Sequence, residues 1–132
     1  MKTILLTLIA LLSIHALAAE KPAHVPLAIH AAVGAMGVTF SDALDVNSVQ
    51  PDAFTFKIWS LKRSANYGSQ HYDEHALDIT AARVSEDQRA ITLTIPTLAP
   101  TMCYELTTKF RALDGAPVER SLHGTIHQLS KQ

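Results

Sequence analysis

Apolar side chains recur at every second position along several short runs of this chain, and turn residues separate the runs. The clearest run is Ala90 to Ile95, in which Ile91, Leu93 and Ile95 alternate with two threonines. Alternate side chains of a β-strand share one face of the sheet, so this run predicts a strand with one buried face. No run has the 3.6-residue spacing of an amphipathic helix, which points away from an α/β fold.

About seven runs of this kind follow one another at fairly even spacing. They cover residues 27–33, 37–40, 54–61, 77–84, 90–95, 102–110 and 118–129. Short strands at regular spacing, bounded by turn residues such as Asp114-Gly115, are typical of an antiparallel β-sandwich. We therefore predict an Ig-like β-sandwich over residues 27–132. The first run leaves an alternative open, because Ile29 to Ala32 could also be helical.

Two connections between the runs are long. Ser41 to Asp52 is polar but carries Leu44 and Val49, which predicts a loop with one short helical turn held by these two side chains. Lys62 to Ala76 is the longest stretch without a clear pattern. Long loops in small domains are usually functional, so any binding site is expected there.

The first 18 residues have the features of a secretory signal peptide. Lys2 precedes the apolar run from Ile4 to Leu12, and Ala16-Leu17-Ala18 matches a small-x-small cleavage site. The apolar run is shorter than the ~20 residues of a spanning helix. We therefore expect a periplasmic or secreted protein with no membrane contact after cleavage. Residues 19–26 are predicted to be a linker or leading arm.

Charge and cysteine content narrow the functional classes. The formal net charge is −1, and cleavage of the signal peptide removes one lysine and no acid. A dense basic face is therefore absent, and nucleic acid is not an expected partner. Cys103 is the single cysteine, so no internal disulfide can form. Burial in the core is the expected state of its thiol; bound and intermolecularly paired states are the alternatives.

Several residues could bind a metal ion, although none has the spacing of a known metal motif. His71 and His75 lie in the long loop, where a fold of the chain could bring them together. His123 and His127 lie four apart in a predicted strand, which separates them by ~13 Å and prevents joint binding of one ion unless the strand bends.

Two adjacent sulfur residues add a further candidate pair. Met102 and Cys103 carry the soft sulfur atoms that Cu(I) prefers. Neighbouring residues of a regular strand point to opposite faces, so at most one of them should face a given site. No metal or other cofactor is therefore assigned from the sequence.

No nucleophile motif, metalloprotease motif or phosphate-binding loop occurs, and the chain is not expected to be an enzyme. A binding role has better candidates in Trp59, Arg63, Tyr67 and Tyr72. Tryptophan, tyrosine and arginine dominate protein interfaces, and flat aromatic rings also stack on sugars. The expected partner is a protein or a carbohydrate. The alternative is that Trp59 only packs the long loop onto the sheet edge.

Several segments resemble known bacterial Ig-like domains. The run from Val38 to Asp45, with Ser48-Val49 and Phe54-Thr55-Phe56 after it, resembles the opening of surface-layer Ig-like domains. A further resemblance is to the C-terminal Ig-like module of large exported proteins that also carry a sorbosone/glucose-dehydrogenase-like propeller and a c-type cytochrome. It rests on Trp59 to Arg63, Asn66 to Ser69, Pro100 to Cys103, Ala112 to Gly115 and Thr125 to His127.

This second resemblance implies an accessory or binding module beside an exported dehydrogenase or cytochrome system. The chain has no propeller and no C-x-x-C-H motif for haem attachment, and the resemblance supplies no catalytic residues. The alternative function is a small periplasmic protein that binds copper or zinc.

Overall fold

Eight β-strands form two four-stranded sheets in the computed structural model, which describes residues 23–65 and 68–131. The strands are β1 (Pro26–Ala32), β2 (Ala35–Phe40), β3 (Phe54–Lys62), β4 (Gln70–Leu77), β5 (Ala81–Val84), β6 (Ala90–Thr94), β7 (Thr101–Arg111) and β8 (Pro117–Ile126). The first sheet has the order β1-β2-β6-β5, and the second has the order β4-β3-β7-β8. All strand pairs within the sheets are antiparallel, which confirms the predicted β-sandwich.

The architecture consists of four consecutive hairpins that alternate between the two sheets. The hairpins β1-β2 and β5-β6 belong to the first sheet and pair through β2 and β6. The hairpins β3-β4 and β7-β8 belong to the second sheet and pair through β3 and β7. The central strands are therefore shielded on both edges, and β1, β5, β4 and β8 are the edge strands.

The core lies between the sheets and is built from the alternating residues of the central strands. Met36, Leu93 and Phe56 have no exposed surface, as the period-two pattern predicts. The ring of Phe40 meets that of Phe110 edge to face at 5.3 Å, a favoured aromatic geometry. Leu44 is also fully buried, so the loop after β2 is attached to the core.

The loop between β2 and β3 has the form that its sequence predicts. It contains two short 3-10 turns, Val46–Ser48 and Pro51–Ala53, and Val49 between them is buried. The side chain of Asp45 accepts a hydrogen bond from the backbone N–H of Asn47 at 3.0 Å, which caps the first turn.

The structure corrects the prediction of an irregular segment over Lys62 to Ala76. Residues from Gln70 onwards form β4, so the sandwich has eight strands instead of about seven. The segment lacks alternating apolar residues because β4 is an edge strand and six of its eight residues are exposed. Charged side chains such as Glu74 are suited to an edge, where they discourage pairing with other chains.

Two further sequence interpretations are wrong. The run Leu77 to Val84 is not one strand: β4 ends at Leu77 in the second sheet, and β5 begins at Ala81 in the first. Residues 78–80 between them cross from one sheet to the other. The helical alternative for Ile29 to Ala32 also fails, since this segment pairs with β2 in β1.

The residues just before β1 are docked onto the sandwich. His24 is only 5 % exposed, and its backbone N–H donates to Asp42 Oδ2 at 3.2 Å. The side chain of Arg120 on β8 donates to the carbonyl oxygen of Ala23 at 2.7 Å. The predicted signal peptide, residues 1–18, lies outside the described residues. Across 23–65 and 68–131, no helix has the length and apolar character needed to cross a bilayer.

Candidate functional site

One end of the second sheet brings together several of the side chains that the sequence suggested for binding. At this end β3 and β8 finish, while β4 and β7 begin. We call this region the distal end and define it by Trp59, Leu61, His71, Met102, Cys103 and His127. Antiparallel pairing explains the gathering, because it places residues more than 40 positions apart, such as Trp59 and Cys103, directly opposite each other.

Trp59 is held by an aromatic contact across the sheet. Its indole stacks on the imidazole of His71 from β4, with ring centroids 4.5 Å apart and planes inclined by 16°. Its cross-strand partner on β7 is Cys103, and paired residues share a face of the sheet. The outer face of the distal end therefore presents a partly exposed indole in a fixed orientation.

A row of ionisable side chains crosses the outer face beside Trp59. The ammonium of Lys57 lies 3.3 Å from Glu74 on β4 and 3.2 Å from Glu105 on β7. His71 lies 3.5 Å from Glu74, and His123 on β8 lies 3.5 Å from Glu105. The row thus reads His, Glu, Lys, Glu, His across all four strands of the sheet.

The electrostatics of this row follow from its central lysine. Hydrogen bonds to Glu105 and Glu74 raise the pKa of Lys57 above its ordinary value. The same ammonium, by its hydrogen bond, lowers the pKa of Glu74. The groups are partly or fully exposed and their interactions are screened by solvent, so the row contributes little to stability. Its effect is to orient polar groups on a surface that a partner could contact.

Two open depressions lie at the distal end and share the first residues of β7. One has a volume of about 620 Å³ and is bordered by Leu61, Met102, Cys103, Thr125 and His127. The other, of about 280 Å³, is bordered by Trp59, Asp73, His75 and Met102. Met102 borders both depressions and is 51 % exposed.

The structure corrects the expectation that Met102 and Cys103 serve opposite faces. Both border the larger depression, because the pairing of β7 with β8 shifts register between Thr101 and Tyr104. Such a bulge adds a residue to one strand and changes the direction of its side chains. The hydroxyl of Thr125 donates to the Met102 carbonyl at 2.7 Å, and that of Thr101 donates to the Cys103 carbonyl at 3.1 Å.

Cys103 is not the core residue that the sequence predicted. It is partly exposed, whereas its neighbour Tyr104 is buried and stacks on Phe56 with ring centroids 5.4 Å apart. Residue 104 faces the core, which leaves Cys103 on the outer face opposite Trp59. Cys103 therefore borders the larger depression.

The other candidates take different positions. Arg63 follows β3 and is exposed, and Tyr67 lies outside the described residues. Tyr72 pairs with Ser60, one residue out of phase with Trp59, and the ammonium of Lys62 lies 4.3 Å from its ring centroid. Trp59 and Tyr72 therefore do not form a common aromatic surface.

The histidines are also divided among separate places. His75 Nδ1 lies 2.7 Å from the carbonyl oxygen of Asp73, a residue with a φ of 54° at the irregular pairing of β3 with β4. His123 lies beside Glu105, whereas His127 follows the end of β8 at the larger depression. Within the described parts of the chain, no three His, Cys, Asp or Glu side chains are grouped to hold a metal ion.

Sequence reasoning missed the charged row and the threonine hydroxyls that hold the bulge. A partial signal exists, because Lys57 and Trp59, like Cys103 and Glu105, are two residues apart and share the outer face of their strands. The missing information is the strand register, which decides that Lys57 meets Glu105 and that Trp59 meets Cys103.

The fold and this exposed end define an antiparallel β-sandwich domain with a polar and aromatic surface on one sheet. No protein-family model matches the chain, and no curated protein matches it either. Similarity is found among solved structures, at sequence identities below 20 %.

Two of these structures are of a surface layer protein. Domains 1–6 of SbsC match with a TM-score of 0.55 and 17 % identity, over 76 % of this chain and 13 % of that one. The S-layer protein rSbsC(31-844) matches with a TM-score of 0.53 and 16 % identity, over 74 % of this chain and 13 % of the other. This chain therefore spans a small part of those proteins, and the likeness establishes the fold alone.

A third structure, CopC from Methylosinus trichosporium OB3b, has a TM-score of 0.41 and 19 % identity, over 75 % of this chain and 82 % of that one.

Proposed function

We propose that this chain is an exported, non-enzymatic β-sandwich module that binds a partner protein through the distal end of its second sheet. The observation that carries the proposal is the fixed, partly exposed indole of Trp59. It stacks on His71 and lies beside two open depressions. Aromatic anchors next to pockets are the usual centres of protein interfaces.

The surroundings of Trp59 favour a protein partner over a carbohydrate. One face of the indole is occupied by His71, and the charged row around Lys57 offers donors and acceptors of both signs. An aromatic centre with a polar rim is the common anatomy of a protein interface. Both resemblances noted in the sequence, and the surface-layer likeness of the fold, support an exported location.

The partner that we propose is a protein of an exported dehydrogenase or cytochrome system. Support for this comes from the resemblance to accessory modules alone. The sandwich offers a rigid frame on which a recognition surface can be placed.

The experiment is cross-linking of the tagged chain in its native host, followed by identification of the captured protein and titration of the purified pair. Trp59→Ala should weaken binding at least tenfold, since truncation of a hot-spot tryptophan costs about 2 kcal/mol or more and each ~1.4 kcal/mol is a factor of ten. Thr55→Ala is the matched control, because Thr55 is exposed on the outer face of the same strand at the opposite end.

Equal binding by Trp59→Ala and wild type would refute the proposal. Equal loss in both variants would refute it as well, since the site would then not be at the distal end. If glycans are retained and no protein is, the partner is a carbohydrate and the protein-binding proposal is wrong. Melting temperatures of both variants separate lost contacts from lost folding.

A further inference from the structure

Three different metal-binding side chains border the larger depression at the distal end. Met102 contributes a thioether, Cys103 a thiol and His127 an imidazole. They come from two strands that are neighbours in the sheet: β7 supplies both sulfurs, and His127 directly follows β8. Only the folded chain brings the histidine to the two sulfurs.

The bulge in β7 is what makes this combination possible. In a regular strand, Met102 and Cys103 would point to opposite faces. The register shift between Thr101 and Tyr104 places Met102 and Cys103 together opposite one residue of β8, and both border one opening. The Thr125 hydroxyl on β8 donates a hydrogen bond to the Met102 carbonyl. A bulge held by side-chain hydrogen bonds is a built feature, and it keeps both residues at the same depression.

The three residues are at least partly accessible to solvent, as a site that takes up and releases a metal ion requires. Met102 is 51 % exposed although methionine is usually buried, and Cys103 is partly exposed. Cys103 has no cysteine partner in the chain, so its thiol cannot be consumed by an internal disulfide. Leu61 provides an apolar wall beside these donors.

We infer that Met102, Cys103 and His127 bind one Cu(I) ion in this depression. Thiolate and thioether sulfur are soft ligands that suit Cu(I), and imidazole completes a three-coordinate site. Zn²⁺ is a poorer match, because its structural sites use four ligands and no thioether. Binding replaces the thiol proton by the metal, so one proton is released and no electron is transferred. The inference does not depend on the proposed partner protein.

The test is an anaerobic titration of the purified protein with Cu(I) in competition with a colorimetric Cu(I) chelator. We expect one ion per chain. Met102→Leu and His127→Gln should each lower the Cu(I) affinity about tenfold or more. Removal of a residue that only hydrogen-bonds to a metal ligand already costs about tenfold, and loss of a ligand itself should cost at least as much. His123→Gln is the matched control: it removes an exposed histidine of β8 that lies beside Glu105 and should leave the affinity unchanged.

X-ray absorption at the copper edge provides a second readout, with two sulfur ligands and one nitrogen ligand expected. Wild-type affinity in both Met102→Leu and His127→Gln would overturn the inference, since Cu(I) would then be held by the thiol alone. One ion per two chains would also overturn it, because the metal would be bridging two Cys103 thiols. These results leave the Trp59 cross-linking experiment unaffected, so the two proposals fail separately.

Discussion

The contact between Gly124 and Tyr104 predicts that any side chain at position 124 lowers the free energy of unfolding. Gly124 on the edge strand β8 pairs with Tyr104 on β7, and the tyrosine ring covers the glycine. A Cβ atom at position 124 would lie 2.8 Å from both Cε1 and the hydroxyl oxygen of this ring. The ring cannot move aside easily, because Tyr104 is only 5 % exposed and is stacked on Phe56.

Gly124→Ala should therefore destabilise the protein by overpacking, a cost of about 1–3 kcal/mol. Replacement of glycine reduces the entropy of the unfolded chain, which returns about 0.4–1 kcal/mol. The two ranges leave a net loss of about 0–2.6 kcal/mol, about 1.3 kcal/mol at their midpoints. The melting temperature should fall by roughly 4–8 °C for each kcal/mol. Thermal unfolding followed by circular dichroism measures this shift.

Gly37→Ala is the matched control for this prediction. Gly37 also lies within a strand, but an added Cβ would meet its nearest atom at 3.8 Å, which is an ordinary contact. The control should melt at the wild-type temperature or above it. In a Tyr104→Leu background, Gly124→Ala should lose most of its cost, because the ring that it meets is gone. If Gly124→Ala melts no lower than Gly37→Ala, the reasoning about the ring contact is wrong.

Two further predictions concern pH. Burial raises the pKa of Tyr104 above its ordinary value of 10.0. The neutral phenol's contribution to stability is therefore complete below the unfolded pKa and is lost as pH rises through the folded pKa. In alkaline denaturation, Tyr104→Phe should lose less stability than wild type above about pH 10. The hydrogen bond from Ser41 lowers the pKa of Asp42 below its ordinary value of 3.8. The contribution of the Asp42 carboxylate to stability is therefore complete above the unfolded pKa and is lost as pH falls through the folded pKa, so Asp42→Asn should flatten the acid side of a plot of melting temperature against pH. An unchanged plot would show that the hydrogen bonds of Asp42 to Ser41 and His24 do not contribute to folding stability.

The sequence by itself was sufficient for the fold class. Alternation in segments such as Ala90 to Ile95 encodes which side chains are buried, and this local pattern survives in the structure because each central strand has one face on the core. The same pattern is weak in β4, where neither face is fully buried, and that strand was predicted as a loop.

The tertiary structure alone determines which side chains lie together at the distal end. Whether Trp59 meets Cys103, and whether Lys57 meets Glu105, depends on the register between β3 and β7, which no local pattern in either strand specifies. The bulge that turns Met102 and Cys103 toward one depression depends on pairing with β8 and on the Thr125 hydroxyl. The apolar pattern of each segment determines which of its side chains are buried, whereas a site made from several strands exists only once those strands are paired.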